Sequence, residues 1–185
     1  MNDIEEGSLY WTFINRKGMD APGIGKWKVR SVDPAQVYEI LRAEIFRGVL
    51  LDACGMKFRS QREREIETVY VYVGPYNDLD LVGKVAAELF RILITKELPI
   101  EPGFDYKTDL QTFWQKEAGV NLDANGKPEK WNGTGWLYRY DGTNIMVNDH
   151  MLSLHKELEN GSDSIDPYFR TLFKKTPKHL FPSKY

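Results

Sequence analysis

The sequence predicts an α+β fold in which helices cover one face of a curved, mainly antiparallel sheet. Segments 54–59 and 69–73 alternate apolar and polar residues, which is typical of strands with one buried face. The charged segment between them, 59–67, lacks apolar periodicity and fits an exposed connection between antiparallel strands. Segments 33–47 and 77–93 carry apolar residues at helical spacing. Strands outnumber helices, and both helices follow strands, which favours the α+β class.

The composition of the 185-residue chain is that of one folded domain, with 13% aromatic and 28% charged residues. The net charge of −2 gives no overall attraction to nucleic acid or membrane, so any polyanion contact must come from a local patch. No apolar run approaches the length of a membrane span, and the N-terminal residues lack the pattern of a secretory signal. Cys54 is the only cysteine, which fits a reducing compartment, so we expect a cytoplasmic protein without membrane contact.

Two further strand patterns lie in the N-terminal part of the chain. Residues 9–14 combine β-branched and aromatic side chains, and a loop rich in glycine and proline follows them. Trp27 and Val29 share one side of the next strand, which predicts that Trp27 lies in the core. The other side of this strand is cationic and consists of Lys26, Lys28 and Arg30.

Both predicted helices carry boundary signals. Asp33 is a suitable N-cap acceptor, and Pro34 follows it at the first helical position. Gly48 lies where a left-handed C-terminal cap is expected. Asn77 or Asp78 is expected to cap the second helix, whose apolar stripe indicates that it lies on a core.

The C-terminal part is less regular. Residues 104–109 resemble a short strand with a polar end, and 121–135 form a loop of Asn, Gly, Asp and Lys residues. The Asp141-Gly142 pair predicts a turn between two short strands. Residues 151–158 are the last predicted helix.

We predict a single domain over 1–160 and a basic, aromatic tail over 161–185. Cations alternate with aromatic residues in the tail, which could contact nucleic acid or an acidic partner. The alternative, which we favour, is a terminal segment whose aromatic residues dock on the body of the domain.

The candidate site lies on the polar face of the central strands. Lys57 and Arg59 are two apart on one strand, so their side chains leave the same face about 6.5–7 Å apart. Guanidinium offers a planar fork that matches phosphate, and lysine adds a compact charge. Tyr70 and Tyr72 offer hydroxyl donors or stacking surfaces. If strand 26–30 lies nearby, four or five positive charges converge.

We therefore predict an anion-binding face; the alternative is a solvated surface whose cations pair with Glu63, Glu65 and Glu67. The predicted ligand is a phosphorylated small molecule, a nucleotide or a phosphopeptide. The predicted binding residues are Lys57, Arg59, Tyr70, Tyr72 and Lys107.

Signals for other chemistry are weak. His150 and His155 are five apart rather than three or four, and the chain has no HExxH motif or cysteine pair, so we expect no metal site. No Walker or Rossmann glycine motif is present, and we expect no cofactor. Cys54 would need a nearby base to act as a nucleophile, and we interpret it as a small buried hydrophobe.

An ordered series of short motifs resembles a known family. The series runs from GKW at 25–27 through a capped helix, a KFR strand, VYVYV and YND to YKTD at 106–109. It resembles the basophilic leukaemia-expressed protein family, a group catalogued as a domain of unknown function with the fold of the initiation factor that binds the messenger RNA cap. The resemblance covers residues 25–114 and implies a strongly curved antiparallel sheet backed by helices.

The resemblance also implies a role for the strand at 54–59. In the cap-binding factor the equivalent strand supplies basic residues to the cap phosphates, and Arg59 is the best match here, with Lys57 as its neighbour. Two loop tryptophans sandwich the cap base in that factor, whereas the loop before GKW here contains none. The resemblance therefore implies phosphate recognition without an aromatic sandwich.

Lys26-Trp27-Lys28 is similar to the DKWK-type strand of the phosphothreonine lyases secreted by enteric pathogens, in which a later arginine, a strand and a helix follow. In those enzymes a lysine removes the α-proton, arginines hold the phosphate and a histidine protonates the leaving oxygen. The similarity implies Lys28 or Lys26 as the base and Arg59 as a phosphate clamp. Because no histidine precedes His150, the acid would be another group or come from the C-terminal region. A protein-interaction module is the third alternative.

Overall fold

The computed structural model describes most of the chain. The described residues are 4–7, 11–16, 21–59, 65–118, 121–122, 128–129, 135–160 and 176–182. Most of the predicted tail, 161–175 and 183–185, lies outside the described residues, so the domain boundary after 160 stays a prediction.

Helices and antiparallel strands make up the described part of the chain. The strands are β1 (Ile4–Gly7), β2 (Trp11–Asn15), β3 (Gly25–Ser31), β4 (Gly55–Arg59), β5 (Glu67–Val73), β6 (Phe104–Thr108), β7 (Asn121–Leu122), β8 (Pro128–Glu129), β9 (Tyr138–Tyr140) and β10 (Ile145–Val147). The helices are α1 (Pro34–Phe46), α2 (Leu79–Thr95), α3 (Asp109–Ala118) and α4 (Asp149–Asn160), with a short 3-10 helix at Lys178–Leu180. The predicted α+β class is confirmed.

Eight strands form one sheet in the order β1-β2-β4-β5-β3-β6-β9-β10, and every pair in it is antiparallel. β4 and β5 pair as predicted, with Met56 opposite Val71 and Lys57 opposite Tyr70. β5 lies between β4 and β3, so the two cationic strands are not direct neighbours. Their cations still share a face, because Tyr70 is opposite both Lys57 and Lys28.

The predicted helix caps form. The Asp33 carboxylate accepts a hydrogen bond from the backbone N–H of Gln36 at 3.0 Å. Asp78, rather than Asn77, caps α2 and accepts from the N–H of Leu81 at 3.0 Å. Gly48 follows α1 with a φ of 77°, which is the left-handed cap expected from the sequence.

The core lies between α1, α2 and the apolar face of the sheet. Met56 and Val71 are fully buried in this layer. Tyr38 of α1 packs on Phe58 with a ring-centroid distance of 4.7 Å. The prediction that both helices pack on the side of Met56, Phe58 and Val71 is therefore confirmed.

Trp27 is a core residue, as predicted. Its indole is fully buried and contacts Tyr106 edge to face at a centroid distance of 5.2 Å. Its N–H donates to the carbonyl oxygen of Val82 at 3.0 Å, which joins β3 to α2. This bond satisfies the polar atom of a buried aromatic residue.

Several C-terminal elements differ from the predictions. The hairpin at Asp141-Gly142 is present, and β9 pairs with β10. α3 and β1 were not predicted, and α4 is longer than the predicted 151–158. The expectation of a loop over 121–135 is wrong at the short strands β7 and β8, which pair with each other. Leu180 and Phe181 pack against the core, which favours the docked interpretation for this part of the tail. None of the described helices combines the length and the apolar character that crossing a membrane requires.

Candidate functional site

The sheet face opposite α1 and α2 carries a dense set of cations, which we call the basic face. β3, β4, β6 and β9 contribute to it because alternate residues of each strand point away from the core. Three carboxylates, those of Asp105, Asp109 and Glu101, pair with cations of this face. The basic face consists of Lys26, Lys28, Arg30, Lys57, Arg59, Lys107 and Arg139, with Tyr70 and Tyr72 between them.

The first row of the basic face crosses five strands. In register order it consists of Lys57, Tyr70, Lys28, Asp105 and Arg139. Neighbouring strands lie about 4.8 Å apart, so the row spans about 19 Å from β4 to β9. A single phosphoryl group therefore occupies only part of it.

The second row is largely covered. Tyr72, Lys26 and Lys107 are opposite one another on β5, β3 and β6, and they are 3%, 7% and 4% exposed. The Lys26 ammonium pairs with Asp109 at 2.5 Å, because β6 runs directly into α3 and brings this carboxylate over the strand. This row is therefore not open to a ligand, whereas Lys28 and Lys57 of the first row are half-buried.

Tyr72 separates two ammonium groups. The Nζ atoms of Lys26 and Lys57 lie 5.4 and 5.5 Å from the centroid of its ring. Lys57 Nζ also lies 6.0 Å from the centroid of the Tyr70 ring. Cation–π attraction of this kind partly compensates the repulsion between like charges. Burial, with the nearby Asp109 charge, raises the pKa of Tyr72 far above its ordinary value, so the phenol stays a neutral donor.

The crowding of cations reduces their proton affinity. Burial, and next the charge of Lys26, lowers the pKa of Lys57. Burial, and next the charge of Arg30, lowers the pKa of Lys28. The same causes, with Lys28 as the strongest charged neighbour, lower the pKa of Lys107 to about 7. An anion on this face would stabilise the protonated form of each amine.

Asp105 joins two arginines at the β9 end of the first row. Its carboxylate accepts from Arg30 NH2 at 3.0 Å and from Arg139 Nε at 2.8 Å. Burial alone would raise the pKa of Asp105, but the hydrogen bonds from Arg139 and Arg30 outweigh it and hold the pKa below its usual value. Sequence reasoning missed Arg139, although its position between two aromatic residues of a short strand was a usable signal.

The predicted site residues on β3 to β6 all lie on the basic face, and two of its cations have partners other than those of the alternative weighed above. Arg30 pairs with Asp105 and, at 3.5 Å, with Glu101, and Lys26 pairs with Asp109. The alternative interpretation, in which the cations pair with Glu63, Glu65 and Glu67, is therefore wrong for Lys26 and Arg30. Glu63 lies outside the described residues.

His155 does not reach the basic face. Its Nε2 lies 2.9 Å from Thr108 Oγ1, and its Nδ1 lies 2.7 Å from the carbonyl oxygen of Met151. Burial lowers the pKa of His155 to about 4, so the ring is neutral at pH 7. This histidine has a structural role and is not placed to protonate a leaving group on the face. Cys54 is half-buried, and burial raises the pKa of its thiol, which disfavours a nucleophilic role.

Comparison of the sequence with protein-family models and with curated proteins found no match.

Proposed function

We propose that the chain binds a phosphorylated ligand on the basic face, with Lys57 and Arg59 at the centre of the site. The observation that carries the proposal is the convergence of Lys26 and Lys57 on one tyrosine ring, at 5.4 and 5.5 Å from its centroid. Asp109 pairs with Lys26, whereas burial, and next the charge of Lys26, disfavours the protonated form of Lys57 and lowers its pKa. A bound phosphoryl group would offset both costs.

The geometry suits a group with several oxygens. Lys57 and Arg59 leave β4 about 6.5–7 Å apart, so both can reach one phosphoryl group or two linked ones. Lys28 lies two strands away, roughly 10 Å from Lys57 between backbones, and the lengths of the two side chains can close that gap. Tyr70 lies between them and could donate its hydroxyl.

The proposal includes a cap-binding-factor-like architecture for residues 25–114. The element order β3-α1-β4-β5-α2-β6, with both long helices on one face, agrees with the resemblance stated above. On this proposal the equivalent of the cap-phosphate strand is β4, and the chain is cytoplasmic.

A phosphothreonine lyase is the second candidate, and one observation favours Lys28 as its base. Lys26 pairs with Asp109 at 2.5 Å, whereas Lys28 has no ion-pair partner among the described residues. Lys28 would take the α-proton of phosphothreonine, the carbon–oxygen bond would break, and inorganic phosphate would leave. Mass spectrometry of a phosphothreonine peptide would then find an unsaturated residue that is lighter than threonine by one water. An intact peptide after long incubation at high protein concentration would contradict the lyase.

The binding proposal is tested by a thermal-shift screen followed by calorimetry. The probes are pyrophosphate, nucleoside monophosphates and phosphothreonine peptides, and a ligand at about 100 times its Kd should stabilise the fold by about 2.7 kcal/mol. Arg59→Ala is expected to weaken the best probe roughly 10- to 100-fold, because charge-assisted hydrogen bonds contribute about 1.5–3 kcal/mol. Lys57→Ala should cost less, since lysine lacks the planar fork.

The matched control is Arg91→Ala, which removes an exposed arginine that pairs with Glu88 on α2. Its affinity for the probe should equal that of the parent protein. Equal affinity of the Arg59→Ala protein, with its fold intact, would overturn the assignment of the site.

A further inference from the structure

A small pocket opens at the β9 end of the basic face. Its volume is about 260 Å³, below the roughly 300–1,000 Å³ of typical ligand pockets, so it suits one small group rather than a whole ligand. Its lining residues are Arg30, Pro102, Gly103, Asp105, Arg139, Tyr140 and Asp141.

Arg139 is held in one orientation at this pocket. Its Nε donates to Asp105 at 2.8 Å, and its guanidinium carbon lies 4.9 Å from the centroid of the Trp136 ring. The side chain is nevertheless 44% exposed. None of the described residues accepts a hydrogen bond from its two terminal nitrogens, so this edge of the fork is available to a ligand.

The carboxylates of the pocket are already engaged. Both oxygens of Asp105 accept hydrogen bonds from arginines. Asp141 Oδ1 accepts from the backbone N–H groups of Thr143 and Asn144 at 2.8 and 2.7 Å. The pocket therefore offers a donor edge, and this favours an anionic group over a cationic one.

The charge balance of the pocket favours an anion with a single negative charge over a dianion. Two guanidinium groups and two carboxylates line the pocket, so a phosphate dianion would meet nearly as much repulsion as attraction. A carboxylate carries one charge and matches the planar fork of arginine in two parallel hydrogen bonds.

We propose that this pocket binds a carboxylate through Arg139, and that the ligand of the basic face carries this carboxylate in addition to its phosphoryl group. The second half of this inference rests on the proposed function. Arg139 lies two strands from Lys28 and four from Lys57, which corresponds to about 10–19 Å. An extended peptide covers that distance in about three to six residues. A phosphopeptide with an acidic residue at this separation therefore fits the face, and a nucleotide lacks the carboxylate.

The test is a double-mutant cycle between protein and peptide. The probes are phosphothreonine peptides of one length that carry Glu or Gln four residues after the phosphothreonine, with a nucleoside monophosphate for comparison. The Glu peptide should bind the parent protein at least tenfold more tightly than the Gln peptide. Arg139→Gln should abolish this difference, and Arg139→Lys should restore part of it. Arg91→Gln on α2 should leave it unchanged.

A second measurement separates this inference from the proposed function. Acetate titrated against the protein should shift the side-chain Nε–H signal of Arg139 to saturation, whether or not phosphate binds elsewhere. Equal affinity for the Glu and Gln peptides, or tighter binding of the nucleotide, would overturn the inference while leaving phosphate binding intact. A saturable acetate shift without any phosphate binding would overturn the proposed function and keep the carboxylate pocket.

Discussion

His155 is expected to make the folded state sensitive to acid. Burial lowers its pKa from 6.5 to about 4, so the unfolded chain binds a proton at a higher pH than the folded chain does. The contribution of His155 to the free energy of unfolding is therefore fully present above pH 6.5 and decreases as the pH drops towards 4. At pH 5 the two pKa values correspond to a loss of about 2 kcal/mol in the free energy of unfolding.

The perturbation that isolates this effect is His155→Gln. The substitution lowers stability at pH 7, because the bonds of the ring to Thr108 and Met151 change. It also removes one titrating group, so stability should fall less steeply between pH 6.5 and 4 than in the parent protein. Urea unfolding at pH 7, 6 and 5 measures both effects.

His150 offers the matched control, since it is an exposed histidine on the same helix, α4. His150→Gln should leave the pH dependence of stability as it is in the parent protein. If His155→Gln and the parent lose stability in parallel from pH 7 to 5, the buried neutral histidine is not the cause, and the reasoning fails.

Three further predictions concern the site and its support. Affinity for a phosphorylated probe should fall as the salt concentration is raised from about 0.05 to about 0.3 M, since partly exposed charges are screened. If calorimetry at several ionic strengths found that the Kd does not depend on salt, the result would contradict the site. Asp105→Asn should lower the free energy of unfolding by about 1–3 kcal/mol in urea, because two arginines lose the charge and one of the two oxygens of their shared acceptor. Asp80→Asn in the exposed first turn of α2 should cost less, about 0.3–1 kcal/mol, because it removes only an interaction with the helix dipole. Gly25→Ala should cost about 1–3 kcal/mol, because the added methyl would overlap the buried Tyr106 hydroxyl. Gly83→Ala in α2, whose methyl would meet only Ile145 at 3.5 Å, should instead be tolerated, and equal thermal midpoints for the two glycine variants would refute the packing argument.

The sequence determined the central strands, the two long helices and the two faces of the sheet. Period-two alternation around Lys57 and Tyr70 assigned each residue to a face, because the pleat alone sets which way a side chain points. Asp33 and Asp78 marked the helix starts, since capping depends on residues three apart. Thr108 and Gln111 carry the same kind of signal for α3, because the backbone N–H of each residue donates to the side-chain oxygen of the other. This pair could have predicted the start of α3.

Tertiary structure alone decided how the site is assembled. Three features of the site join residues that are far apart in the chain. β5 lies between β4 and β3, Arg139 lies beside Asp105, and Asp109 pairs with Lys26 and covers it. Local periodicity contains no information on strand order, which depends on how the apolar faces of all elements bury one another. The sequence therefore predicted a basic face, whereas only the packed sheet determined which of its cations are paired, which are covered and which remain accessible to a ligand.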